Sequence, residues 1–321
     1  WARTRTVYFA MEFSKPFKSY GFREFGKQDY KGFWRKFDQT KNFPEMAGKQ
    51  IRAHFDFDTK GNEKIRVKFA ISPVSTDGAR ANLKAEIPHW DFERVKAEAQ
   101  AAWNKELSKV QITANSEGEM TNFYTALYHA MLSPTVYMDA DGRYKGLDQN
   151  IHSAQSPGRN PQPTKAGTPN FTNYTTFSLW DTYRALHPLL NIIQPARNRD
   201  MVRSMQAHYD QSVHKMLPVW SHYANENWCM IGYHSVSVIA DAIVSGNLTG
   251  AEANKALDAS VQTAKTNYYD GLEYYMSLGY VPEDKNSSSV SKTLEYAYDD
   301  WAIARAAYKL GRLDVYNEFL N

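Results

Sequence analysis

A single cysteine, Cys229, stands among 321 residues. That excludes an internal disulfide, and the absence of thiol partners excludes a cysteine-based zinc cluster. Alone, the thiol reads as a small buried apolar group rather than a nucleophile. No run of roughly 18 apolar residues occurs, so a membrane-spanning helix is excluded. Charge of one sign is not in excess either: 38 Lys and Arg against 35 Asp and Glu leave a formal +3. With no basic run or stripe to meet phosphates, nucleic acid is not an expected partner. The sequence has no Gly-rich phosphate loop, no HExxH pair and no G-x-S-x-G elbow. Its nine histidines lack paired ligand spacing, so no metal ligands are assigned in this chain. Carboxylate acid–base chemistry is what remains for an enzyme. Neither end carries a targeting signal. The chain opens at Trp1 rather than Met and closes at Asn321 inside helix-like sequence, so it reads as a piece of something longer.

Aromatic residues, by contrast, are plentiful at 14%, with 8 Trp and 21 Tyr. They can fill a core, or offer flat faces to sugar rings beside polar rims. Residues 1–87 read as β: 6–13, 51–57 and 65–71 are short runs of alternating apolar residues punctuated by turns such as Lys60-Gly61-Asn62. They suit part of a β-sandwich. Residues 88–115 read as a helical linker, with Phe92, Val95, Ala99, Ala102 and Trp103 on one stripe and a short extended break at Gln111-Ile112-Thr113. Residues 116–321 read as mostly helical. Apolar stripes run through Met120, Phe123, Tyr124, Leu127 and Met131, then Leu179, Thr182, Tyr183, Leu186, Leu190 and Ile193. A third runs through Leu294, Ala297, Tyr298, Trp301, Ala304 and Tyr308. The long Pro/Gly/Asn-rich stretch over 153–173 has the length of a functional or disordered loop. Helical hairpins with elaborate loops fit an α/α toroid, incomplete here because a closed ring of six hairpins needs more chain.

Four clusters carry possible chemistry. In 177–184, Ser178 can cap a helix and Asp181 can sit in its first turn. Trp180 beside Asp181 also suits a sugar, ring face on indole and hydroxyls on carboxylate, with Arg184 one turn on to orient the acid. In 218–235, Asn225, Glu226, Asn227, Trp228 and His234 crowd one loop and helix start, as caps or as a site. In 291–301, Glu295 and Asp299 stand four apart on one helical face, where like charges repel, with Asp300 adjoining. That run is a solvated face, or a site where a cation, sugar hydroxyls or Lys292 relieves the repulsion. In 137–144, Asp139-Ala140-Asp141-Gly142 lacks the later ligands of a calcium loop and reads as a hairpin turn.

In this order the clusters resemble glycoside hydrolase family 92, calcium-dependent bacterial exo-α-mannosidases. The matching stretches are 79–83, 86–92, 123–130, 178–182, 226–235 and 291–301. The resemblance implies an N-terminal β-sandwich joined by helices to an (α/α)6 domain, a multidomain β + α fold of which this chain holds part. It implies release of terminal α-linked mannose, with α-1,2 links the expected target, from secreted or periplasmic surroundings. It further implies Ca2+ and an inverting reaction, with acid and base roughly 6.5–9.5 Å apart to admit water. By the same resemblance, Trp180, Asp181, Glu226 and Trp228 bind substrate, supported by Arg184, His234, Glu295 and Asp300. The family's Gly-Asn-Glu-Pro and Gly-Asn-Asp-Asp stretches are absent, so the acid, the base and most calcium contacts are expected beyond Asn321. The rival expectations are a carbohydrate-binding fragment without catalysis, or another α/α-toroid glycosidase.

Overall fold

The computed structural model describes residues 2, 4–24, 50–154 and 170–320. Most of the loop expected over 153–173 lies outside them. In the N-terminal part, β1 (Tyr8–Phe13), β2 (Ser19–Glu24), β3 (Ile51–Asp56) and β4 (Val67–Ser72) form two antiparallel ribbons. β1 pairs with β4 from Tyr8 opposite Ser72 to Phe13 opposite Val67, and β2 pairs with β3 from Ser19 opposite Asp56 to Glu24 opposite Ile51. Phe13 ties the ribbons together, its ring 4.8 Å from Phe55 and 5.3 Å from Phe57. The period of two puts Phe9, Met11, Val67, Phe69 and Ile71 on one face of the β1–β4 ribbon, where all are exposed.

Ala10 and Ser72 are buried on the other face, against α1 (Thr76–Glu86). This helix lies within the segment read as β. Ser75 caps it by accepting from the Gly78 N–H. Its inner side is bolted to the helical part through Asp139, whose carboxylate accepts from Ser72 Oγ (2.7 Å) and Asn82 Nδ2 (2.8 Å). Asn82 returns the bond by accepting from the Ala140 N–H at 2.7 Å. Gly78 passes so close that a Cβ there would lie 2.3 Å from Asp139 Oδ2. The expected turn at Asp139–Gly142 is present, with Gly142 at φ +83°. It is no simple hairpin: β5 (Thr135–Val136) pairs with β8 (Tyr174–Thr175), and β6 (Arg143–Lys145) with β7 (Ile151–Ser153).

α2 (Phe92–Leu107) is capped by Asp91 and α3 (Glu117–Ala130) by Ser116. The two meet through Trp103 and Tyr128, ring centroids 4.6 Å apart. The stripe expected on α2 is not core; no residue of that helix is buried, and Phe92 is exposed. The single helix expected from 179 to 193 is broken into α4 (Leu179–Thr182) and α5 (Leu186–Ile193). α6 (Pro195–Gln211) follows with Pro195 in its first turn, then the two-residue hairpin of β9 (Ser221–His222) and β10 (Asn225–Glu226).

At the centre lies α7 (Ser235–Val244), apolar nearly all round and therefore enclosed. Val236, Val238, Ile239 and Ile243 are buried there, each contributing about 1.5–3 kcal/mol of burial. Around it pack α6, α8 (Gly250–Ala264) and α10 (Ser289–Lys309); α9 (Leu272–Leu278) precedes α10, and α11 (Leu313–Leu320) closes against it. α10 turns the opposite way from its apolar stripe. Leu294, Tyr298, Trp301 and Tyr308 are exposed, whereas Lys292, Tyr296, Asp299, Ile303 and Ala307 are buried. The acid-bearing face points inward.

Candidate active-site wall

α4 is a single turn. Ser178 stands at its N-cap position but makes no side-chain cap bond, so the expected capping role is absent. Anchorage comes instead from Leu179, which is buried, and from the Phe177 N–H donating to the Ser221 carbonyl at 2.9 Å. Trp180 then stands half-buried and Asp181 is exposed, its carboxylate making no hydrogen bond or ion pair with the described residues. Arg184 does not orient Asp181 as expected. It folds over the rings of Trp180 and Tyr183, 4.8 Å from each centroid, donates to the Trp180 carbonyl and reaches Glu295 at 3.5 Å.

The paired acids of α10 find their relief in His234, the residue just before α7. Asp299 Oδ1 meets His234 Nδ1 at 2.8 Å, and Asp299 Oδ2 accepts from the Tyr233 N–H at 2.8 Å. On the far side of the ring, Nε2 lies 2.8 Å from Glu295 Oε2, bent too far for a hydrogen bond. Burial pushes the Asp299 carboxyl above its ordinary pKa, and the His234 ring opposes that push. The Tyr183 ring stacks on His234 at 4.0 Å, and burial with the Glu295 charge lifts its phenol to about 12. Glu295 also faces Trp180 Nε1 and the Tyr183 hydroxyl, each donor at 3.4 Å. Lys292, the partner weighed from sequence, turns to Asp270 at 2.7 Å and to Asn286 instead.

Trp180, Arg184, His234 and Glu295 are therefore one cluster. Glu226 and Asp300 sit outside it. Glu226 was expected to touch substrate, but its carboxylate accepts from the backbone N–H groups of Val219, Trp220, Asn227 and Trp228 at 2.8–2.9 Å. Burial raises its pKa, opposed by those four donors. It organises the loop with a side chain only 5% exposed. Asp300 accepts from Tyr233 Oη at 2.6 Å and from Tyr275; burial first, then the charges of Asp299 and Glu318, lift it to about 6 against those bonds. Trp228 is exposed at φ +51°, between the rings of His214 and Tyr269. The N-terminal segment reaches the same loop: the Thr4 N–H and Oγ1 donate to Asn225 Oδ1 at 3.2 and 2.8 Å, and Arg5 lies over Tyr223.

Sequence reasoning missed Asp299 and Tyr183 as members of the cluster. The signal for Asp299 was present, an unrelieved like-charge pair, but its partner lies 65 positions away. Among the described residues no three His, Cys, Asp or Glu side chains converge as a metal cage. None of their helices is long and apolar enough to cross a membrane.

Comparison with known proteins gives the cluster a context. The sequence profile of the glycosyl hydrolase family 92 catalytic domain matches residues 78–321, and that of the family 92 N-terminal domain matches residues 1–72. A solved family GH92 α-mannosidase from Bacteroides thetaiotaomicron is 45% identical with a TM-score of 0.82, aligning 98% of this chain with 40% of its own. The same relative has been solved with mannoimidazole. A family GH92 inverting mannosidase from Bacteroides thetaiotaomicron VPI-5482 is 30% identical with a TM-score of 0.83, over 98% of this chain and 40% of that one. An uncharacterized secreted glycosidase from Arthroderma benhamiae is 24% identical over 80% of this chain and 30% of its own length. The chain thus spans about two fifths of the solved relatives. The β-plus-α architecture expected from sequence is the one it shares with them.

Proposed function

The chain belongs to glycosyl hydrolase family 92, and from that premise we propose that the whole protein releases terminal α-linked mannose from glycans. One observation carries the reading to this chain's own residues: Asp181 is exposed, and unpaired among the described residues, in a short, aromatic-flanked turn. A carboxylate free of protein donors keeps its lone pairs for sugar hydroxyls, and the Trp180 indole beside it offers an apolar face to a ring. Trp180 and Asp181 bind and orient the terminal sugar, and Arg184 packs behind the indole. Trp228 adds a second exposed indole on the neighbouring loop. Glu226 contributes through that loop's shape.

The finer parts of the proposal concern the whole protein. The reaction is a single displacement with inversion, in which one carboxylic acid protonates the leaving oxygen and a carboxylate activates water across the ring. Both groups, and the ligands of Ca2+, come from outside the described residues, which form no His/Cys/Asp/Glu cage for a metal. Calcium, when bound, holds sugar hydroxyls with hard oxygen ligands around it. Mannoimidazole bound to a relative supports mannose as the sugar, the relative called an inverting mannosidase supports the stereochemistry, and the secreted relative supports export. The α-1,2 linkage is the preferred target in this reading. With full-length protein and an α-1,2-mannobiose, mannose release should vanish on addition of EDTA and return with Ca2+. Release untouched by chelation would overturn the calcium requirement.

A further inference from the structure

We propose that Asp299, His234 and Glu295 form a positioning relay that fixes the Trp180–Arg184 turn, and with it Asp181, in the geometry that receives the terminal sugar. The proposal rests on the reading that this turn lines a sugar site. Its inner end is rigid: Asp299 is 0% exposed and His234 1%, and Asp299 is held from both sides by the Tyr233 N–H and the His234 ring. Its outer end is Glu295, the member with partial exposure, whose side-chain hydrogen bonds and ion pairs among the described residues, besides the contact with His234, fall on the 180–184 segment: Trp180 Nε1, Tyr183 Oη and Arg184. Tyr183 closes the circuit by stacking on the imidazole. α4 has no side-chain cap and spans only four residues, so it lacks the means to hold its own direction. Glu295 supplies that hold through three donors, and the buried histidine and aspartate hold Glu295.

The backbone around His234 is shaped to admit the ring. Gly232 sits at φ +80°, and a Cβ there would lie 2.5 Å from His234 Nε2. The charged and titratable groups facing the ring are Asp299 and Glu295 from α10 and the Tyr183 phenol from the turn after α4, with the Tyr298 ring 6.4 Å away. None of these three relay residues is offered as a catalytic residue; they act through Trp180 and Asp181.

The test uses the full-length protein and two substitutions. His234→Asn keeps a donor near Asp299 and removes the link to Glu295; Glu295→Gln keeps the side-chain shape and removes the charge. KM for the α-mannoside should rise about tenfold in each, with kcat within about twofold, and the double variant should be no worse than the worse single one. A merely structural role would lower the active fraction, hence apparent kcat and Tm, and leave KM in place. Unchanged KM in Glu295→Gln, or fully additive losses in the double variant, would overturn the relay. Should His234→Asn fail to fold, Glu295→Gln and Tyr183→Phe, both at partly exposed positions, still decide it. Asp181→Ala is the control that separates the two levels. If it has no effect, the sugar-site reading fails. If it abolishes activity while KM is unmoved in Glu295→Gln, the relay alone fails.

Discussion

Individual side chains divide here by what their polar atoms already hold. Glu226 and Asp181 look alike in sequence, each an acid within two residues of a tryptophan, yet Glu226 spends its oxygens on four backbone N–H groups while Asp181 holds no donor among the described residues. Asp300 gives a pH-dependent consequence. Its folded pKa of about 6 lies above the 3.8 of an ordinary aspartate, so the native state takes up a proton that the unfolded chain has released. The stabilisation is complete below about pH 4 and is lost as pH rises through about 6. Asp300→Asn mimics the protonated form, so it should be the more stable protein at pH 7 by roughly 1–3 kcal/mol, with a flatter Tm profile between pH 4 and 7. A variant whose Tm follows the wild-type pH slope would contradict this placement of Asp300. Trp180, Asp181 and the Glu295–Asp299 repulsion were all legible in the sequence. The role of Glu226 was not, because backbone donors leave no trace in residue identity, and neither was the pairing of His234 with acids 61 and 65 residues on.

Among the elements, β1 and β3 fall within the alternating runs and β4 overruns its run by one residue, while β2 had no run assigned to it. Helices were read less well where two faces competed. On α10 the large apolar side chains form the more visible stripe, yet small alanines with Tyr296 and Ile303 face α7 and α8, and polar side chains can be buried there because His234 answers Asp299 and Asp270 answers Lys292. The break after α4 falls at Ala185, whose φ of −144° leaves the helical region, while Tyr183 keeps helical angles and stacks on His234. The loop that brings His234 there depends on Gly232, whose φ of +80° costs a non-glycine residue about 1–2 kcal/mol before any clash. Gly232→Ala should therefore lower stability by about 2 kcal/mol or more and raise KM in the direction of Glu295→Gln. Thermal unfolding with wild-type KM and Tm would contradict the close approach to the imidazole.

For the molecule as a whole, the order of β runs followed by helices was foreseeable from hydrophobic periods. The joint between the ribbons and the helical part was not. It hangs on Asp139, read only as a turn residue, whose partners Ser72 and Asn82 come from a strand and a helix far back in the chain. Large apolar side chains stand exposed together on the β1–β4 ribbon and along α10. Function sits at the same scale, because one wall of a sugar site acts only with the groups that face it. The decisive measurement is mannose release from an α-1,2-mannobiose by full-length protein, wild type against Asp181→Ala, at matched Tm. Wild type should release mannose, and the variant should lose about 100-fold or more in kcat/KM, as for a lost charge-assisted contact to sugar hydroxyls. No mannose from the wild type, or a variant as active as the wild type, would contradict the assignment of this wall to a mannosidase site.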